Sequence, residues 1–88
     1  MKAATVKQAK EFALEQGVAD TAIYRRKAGV LELQRGFFYR HGMTAEKFAE
    51  RVHQAFPTAT VVDKGEAWNA WPRDSYFWAR ITLPEEAN

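Results

Sequence analysis

The chain has 88 residues, no cysteine and a formal net charge of +2. That length leaves room for one hydrophobic core and excludes a second, and the missing cysteines exclude disulfides and thiolate metal sites. No apolar run approaches the ~18 residues of a membrane span, and Lys7, Gln8, Lys10 and Glu11 interrupt the stretch a signal peptide would need, so the expectation is a cytoplasmic protein with no membrane partner.

The first element is a helix. Thr5-Val6-Lys7-Gln8 matches a capping box, in which the Thr5 hydroxyl accepts from a first-turn amide and Gln8 reaches back to the Thr5 amide. Val6, Ala9, Phe12 and Ala13 then recur at helical spacing, and Gly17 followed by Val18 suits a Schellman stop. The helix is predicted over about residues 6–16. From Thr21 to Tyr39 the chain turns β-branched and aromatic around Lys27-Ala28-Gly29, and Leu31 and Leu33 alternate with Glu32 and Gln34, so this stretch reads as a β-hairpin with one buried face. Gly36 falls within the second strand and reads as a bulge ahead of Phe37-Phe38-Tyr39.

Thr44 caps a second helix whose Phe48, Ala49, Val52, Ala55 and Phe56 form an apolar stripe, and Pro57 stops it. A short strand over residues 59–63 is expected to end at Asp63-Lys64-Gly65. A Trp-rich loop over residues 66–74 leads to a last strand over residues 75–83. In that strand Phe77, Ala79, Ile81 and Leu83 share one face, and Tyr76, Trp78, Arg80 and Thr82 the other.

The order is α-β-β-α-β-β, without a sequence repeat. It fits an α+β fold with two helices packed on one face of a four-stranded, mainly antiparallel sheet. Moving the last strand to the front gives β-α-β-β-α-β, a permuted ferredoxin-like arrangement; two hairpins joined in one sheet fit the patterns equally.

Catalytic candidates are few. His41 and His53 lack a second ligand at metal-site spacing. Ser75 follows Asp74, but no nucleophile elbow surrounds it. Asp63, Glu66 and Asp74 would need a larger cleft to work as paired carboxylates, and the five glycines are isolated rather than gathered into a phosphate loop. The expectation is a protein that is not an enzyme and uses neither metal nor cofactor, with a small hydrolase using His41 with Asp74 or Glu66 as the catalytic alternative.

Aromatic residues make 14% of the chain, more than the core pattern absorbs. Phe12, Phe48, Phe56 and Phe77 have core positions, whereas Tyr24, Tyr39, Trp68, Trp71, Tyr76 and Trp78 do not. With helices on one sheet face, Tyr76, Trp78 and Arg80 project from the other, joined by Tyr24 and Arg26 if Ile23 points inward, and edged by Arg25, Lys27, Arg35 and Arg40. Such a surface suits a protein interface, where Trp, Tyr and Arg are common anchors, or single-stranded nucleic acid, whose bases stack on aromatic rings. Cross-strand aromatic pairs also stabilise a sheet without any partner, with the segment from Trp68 to Trp78 folded over the face as a lid. The expected binding residues are Tyr24, Arg26, Arg35, Arg40, Trp68, Trp71, Tyr76, Trp78 and Arg80, and a homodimer through the same face or an edge strand is a further expectation.

Gly36-Phe37-Phe38-Tyr39-Arg40-His41-Gly42-Met43-Thr44 ahead of an amphipathic helix, with Ser75-Tyr76-Phe77-Trp78 near the end, resembles small proteins encoded by bacteriophages and prophages. The resemblance covers the C-terminal half and carries no functional residues across. It implies a short accessory protein that blocks or adapts a host protein, a nucleoprotein complex or a nucleic acid. The slight positive charge argues against DNA mimicry.

Overall fold

A computed structural model describes residues 3–36, 43–68 and 75–83 of the chain. The elements follow as α1 (Ala3–Glu15), β1 (Thr21–Arg25), β2 (Val30–Gly36), α2 (Ala45–Ala55), β3 (Thr60–Ala67) and β4 (Tyr76–Thr82), the predicted α-β-β-α-β-β order. The strands form one sheet in the order β1-β2-β4-β3, and every neighbouring pair is antiparallel. β4 and β1 are therefore parallel with β2 between them, and β2 and β3 are parallel with β4 between them. That is the sheet order produced by moving the last strand of a ferredoxin-like domain's permuted form back to the front. It also contains both hairpins, so the two topologies expected from the sequence are one structure.

Exchanging the two α-β-β halves leaves the strand order unchanged. No sequence repeat announces this relation, but the helical core residues repeat in spacing, Val6, Ala9 and Ala13 in α1 against Ala45, Phe48 and Val52 in α2.

Both helices pack on one face. Leu31, Leu33, Phe77, Ala79 and Ile81 from the central strands meet Ala9 and Ala13 of α1 and Phe48 and Val52 of α2 in one apolar cluster. α1 ends as predicted: Gly17 takes a φ of 69°, and the Val18 and Gly17 amides donate to the Ala13 and Leu14 carbonyls, the two bonds of a Schellman motif. Thr44 caps α2, its side chain accepting from the Lys47 amide at 3.1 Å. Gly29, with a φ of 67°, closes the first hairpin.

Four local expectations need correction. α1 begins at Ala3, so Thr5 lies inside the helix rather than at its cap; the alanines before it are strong helix formers and extend the first turn. Gly36 stands in plain register opposite Tyr76, and no bulge interrupts β2. The irregularity falls in β3, between Val61 and Asp63, where Val62 is the extra residue. β3 then continues through Asp63-Lys64-Gly65 to Ala67, because Gly65 stays in the ladder opposite Trp78 instead of ending it. Finally, Phe12 is 42% exposed, and its ring meets that of Phe56 edge-on at 5.4 Å. This pair sits at the core's margin, whereas Phe48 and Phe77 lie inside it.

Candidate functional site: the open sheet face

Period-two alternation fixes which side chains turn away from the helices. Opposite the buried Phe77, Ala79 and Ile81, β4 presents Tyr76, Trp78, Arg80 and Thr82, all half-buried, as the sequence predicts. Register then supplies their neighbours. Ile23, Glu32, Arg80 and Asp63 form one row across the sheet, and Thr21, Gln34, Trp78 and Gly65 the next.

At the centre stands Glu32, only 3% exposed although it faces away from the core. One carboxylate oxygen accepts from Arg80 Nε at 2.8 Å; the other accepts from Arg25 Nη2 at 3.1 Å and from the Gln34 amide. Burial alone would push its pKa up, but the bonds from Arg80, Gln34 and Arg25 outweigh burial and hold it below the ordinary carboxylate value. Glu32 is thus an anion whose work is to aim two arginines.

Arg80 is fixed a second time. Its guanidinium carbon lies 4.7 Å from the centroid of the Trp78 ring, within cation–π range. The indole in turn lies over Gly65, where an added Cβ would stand 2.6 Å from Trp78 Cζ2. A glycine inside a strand is normally a weakness; here the aromatic ring of the neighbouring strand fills the space the missing side chain leaves. Beyond Arg80 the surface dips into a depression of about 410 Å³ lined by Arg25, Ala28, Val30, Val62, Asp63 and Arg80. The bulge leaves Val62 51% exposed at its edge.

Only part of the predicted set gathers here. Tyr76, Trp78 and Arg80 do, and Arg25 joins them. Tyr24 does not: it stands opposite Leu31, on the helix side, and packs against the core cluster. Ile23 points to the open face instead, so the inward-Ile23 arrangement is reversed. Arg26 sits in the hairpin turn and lines a groove with Tyr24 and α1. Arg35 stands opposite Phe77, also on the helix side, and donates to the Gly17 carbonyl at the end of α1. Its phase is that of Leu31 and Leu33, so the alternation itself assigns it inward. Trp68 follows β3 with 70% exposure, its indole donating to Glu66 at 3.1 Å; the rest of the segment expected as a lid, residues 69–74, lies outside the described residues. Arg40 and Trp71 lie outside the described residues, as do Tyr39, His41 and Asp74.

Sequence reasoning missed Glu32, Gln34 and Gly65 as members of this face. The alternation gives their phase, but only the β2–β4 and β3–β4 registers bring them to Arg80 and Trp78. Among the described residues no three His, Asp or Glu side chains gather as metal ligands, and no helix is long and apolar enough to cross a membrane. Comparison of the chain with protein-family models, with curated proteins and with solved structures finds no match.

Proposed function

We propose that the chain is a small non-catalytic binding module that docks a protein partner on its open sheet face, around Arg80, Trp78, Tyr76 and Val62. The observation that carries this reading is the double fixing of Arg80. A half-exposed arginine held by a carboxylate bond and by an indole has lost its rotamer freedom before any partner arrives, which lowers the ordering cost of binding. Arginine and tryptophan beside an apolar depression also make the composition of an interface hot spot. An accessory role against a host protein, as the phage-like texture implies, belongs to this same reading.

Direct binding of single-stranded nucleic acid is the less favoured reading. Arg25 and Arg80 on this face are matched by Glu32 and Asp63, the last lying 4.0 Å from Arg80. A phosphate-tracking surface needs cations that are not already balanced.

Val62→Glu tests the proposal because this exposed bulge residue can accept a charge without entering the core. Quantitative affinity capture from the native host should show a partner retained by wild type and lost by V62E, with thermal unfolding of the two proteins alike. The same partner retained by both, no partner enriched at all, or salt-sensitive binding of wild type to a labelled dT20 oligonucleotide would each overturn it.

A further inference from the structure

The side chains that the open face does not use, Tyr24 and Arg26, meet α1 across a groove at the β1 edge of the sheet. This groove has a volume of about 560 Å³ and is lined by Val6, Lys7, Lys10, Leu14, Tyr24 and Arg26, with Glu11 among them. Lys7, Lys10, Glu11 and Leu14 fall at i, i+3, i+4 and i+7, so one stripe of α1 forms a whole wall. The core stripe of the same helix, Val6, Ala9 and Ala13, runs beside it and is made of small side chains. α1 therefore lies over the sheet edge and leaves a channel beside it.

Two features of this channel are unfavourable as they stand. Leu14 is 45% exposed on one wall, and three cations converge on the groove against the single carboxylate of Glu11. Among the described residues, none of Lys7, Lys10 and Arg26 has a carboxylate within 4.0 Å. A ligand with an apolar body and one anionic head removes both: the body covers Leu14, Val6 and the Tyr24 ring, while the head pairs with the cations. The volume falls in the ~300–1,000 Å³ range of small-molecule sites.

We propose that this groove binds a free amphipathic organic anion of medium chain length, such as an alkyl carboxylate. Its dimensions favour a small molecule over a peptide. From Lys7 to Leu14 the wall extends about 10 Å at 1.5 Å per residue, which is the span of only about three residues of extended chain. This proposal is independent of the docking role of the opposite sheet face, and neither stands or falls with the other.

The test is an amide NMR titration of the full chain with sodium decanoate below its micelle concentration. Decyltrimethylammonium and phosphatidylglycerol vesicles serve as comparators. Saturable shifts are expected around residues 6–14 and 24–26, with none of that pattern from the cationic amphiphile. Charge reversal at the half-buried Lys10 and the exposed Arg26, Lys10→Glu with Arg26→Glu, should weaken decanoate binding about tenfold or more, the loss typical of a hydrogen bond to a charged group, with unchanged circular dichroism. The proposal is overturned by no saturable shift at millimolar decanoate, by an equal response to decyltrimethylammonium, by unchanged affinity in the double variant, or by binding to vesicles alone.

Discussion

Two residues decide how rigid the open face is, and neither is conspicuous in the sequence. Gly65 is needed because the Trp78 ring occupies the place of its Cβ, at 2.6 Å from Cζ2 and 2.9 Å from Cε2. Gly65→Ala should therefore expel the indole and cost about 1–3 kcal/mol, the usual range for overpacking. In a urea-unfolding double-mutant cycle, adding Gly65→Ala to Trp78→Ala should cost far less than adding it to wild type; equal costs would mean that the ring does not rest there. Glu32 acts through charge. Its folded pKa lies below the value of about 4.5 it has when unfolded, so its stabilising contribution is present above that pH and is lost as pH falls through the folded value. Wild type should lose stability on acidification below about pH 4.5, and Glu32→Gln should show a shallower loss over that window in pH-dependent urea midpoints. At neutral pH the same variant should cost less than the ~3 kcal/mol typical of breaking a fully buried pair. The reason is that the Arg25 and Arg80 side chains are 48% and 39% exposed and can turn to water.

The two helices are unequal. α2 buries Phe48 and Val52 completely and carries a Thr44 cap, whereas over residues 6–15 the buried side chains of α1 are Val6, Ala9 and Ala13, and Phe12 and Leu14 are 42% and 45% exposed. Burial scales with apolar area, at roughly 25 cal/mol per Å², so α1 is the more weakly held and depends on the Schellman turn and on Arg35 reaching the Gly17 carbonyl. Native-state hydrogen exchange should show α1 amides opening by local unfolding while β2 and β4 exchange only with global unfolding; equal protection across all of them would refute this ranking. The same contrast explains what the sequence made legible. Elements whose signal is local were readable: the α2 stripe and cap, the Gly17 and Gly29 turns, the alternation in β2 and β4. Elements governed by a partner strand were not. The length of β3 depends on a bulge and on a glycine tolerated only because Trp78 lies across it. The positions of Tyr24 and Arg26 depend on which way Ile23 points, which the β1–β2 register decides. Arg35, expected at the edge of the open face, lies on the helix side instead; its phase, which continues the Leu31 and Leu33 series, was the signal that could have placed it.

At the scale of the molecule, the sheet order explains why an α-first chain can close into one core. α2 connects the parallel strands β2 and β3, which have β4 between them; α1 leads into β1, which is parallel to β4 with β2 between them, but β4 is the last element in the order and does not run into α1. β4 finishes at the end of the sheet where Ile81 stands beside Leu31 and Tyr24. The start of α1 lies at the same end, since Val6 and Lys7 share a groove with Tyr24 and Arg26. The step from β4 to α1 is thus the one at which a ferredoxin-like chain runs from its first strand into its first helix. A circular permutant that opens between Trp68 and Ser75 and joins Leu83 to Ala3 through a flexible Gly/Ser linker should therefore fold to the same sheet. Its new hairpin-free edge loses only the direct β3–β4 connection, and all three antiparallel pairings stay available. Amide NMR should show the wild-type cross-strand contacts, including those between Glu32 and Arg80 and between Gly65 and Trp78. A permutant that stays unfolded, or that folds without β3 beside β4, would mean that the β3–β4 hairpin must form as a continuous unit before the sheet can close.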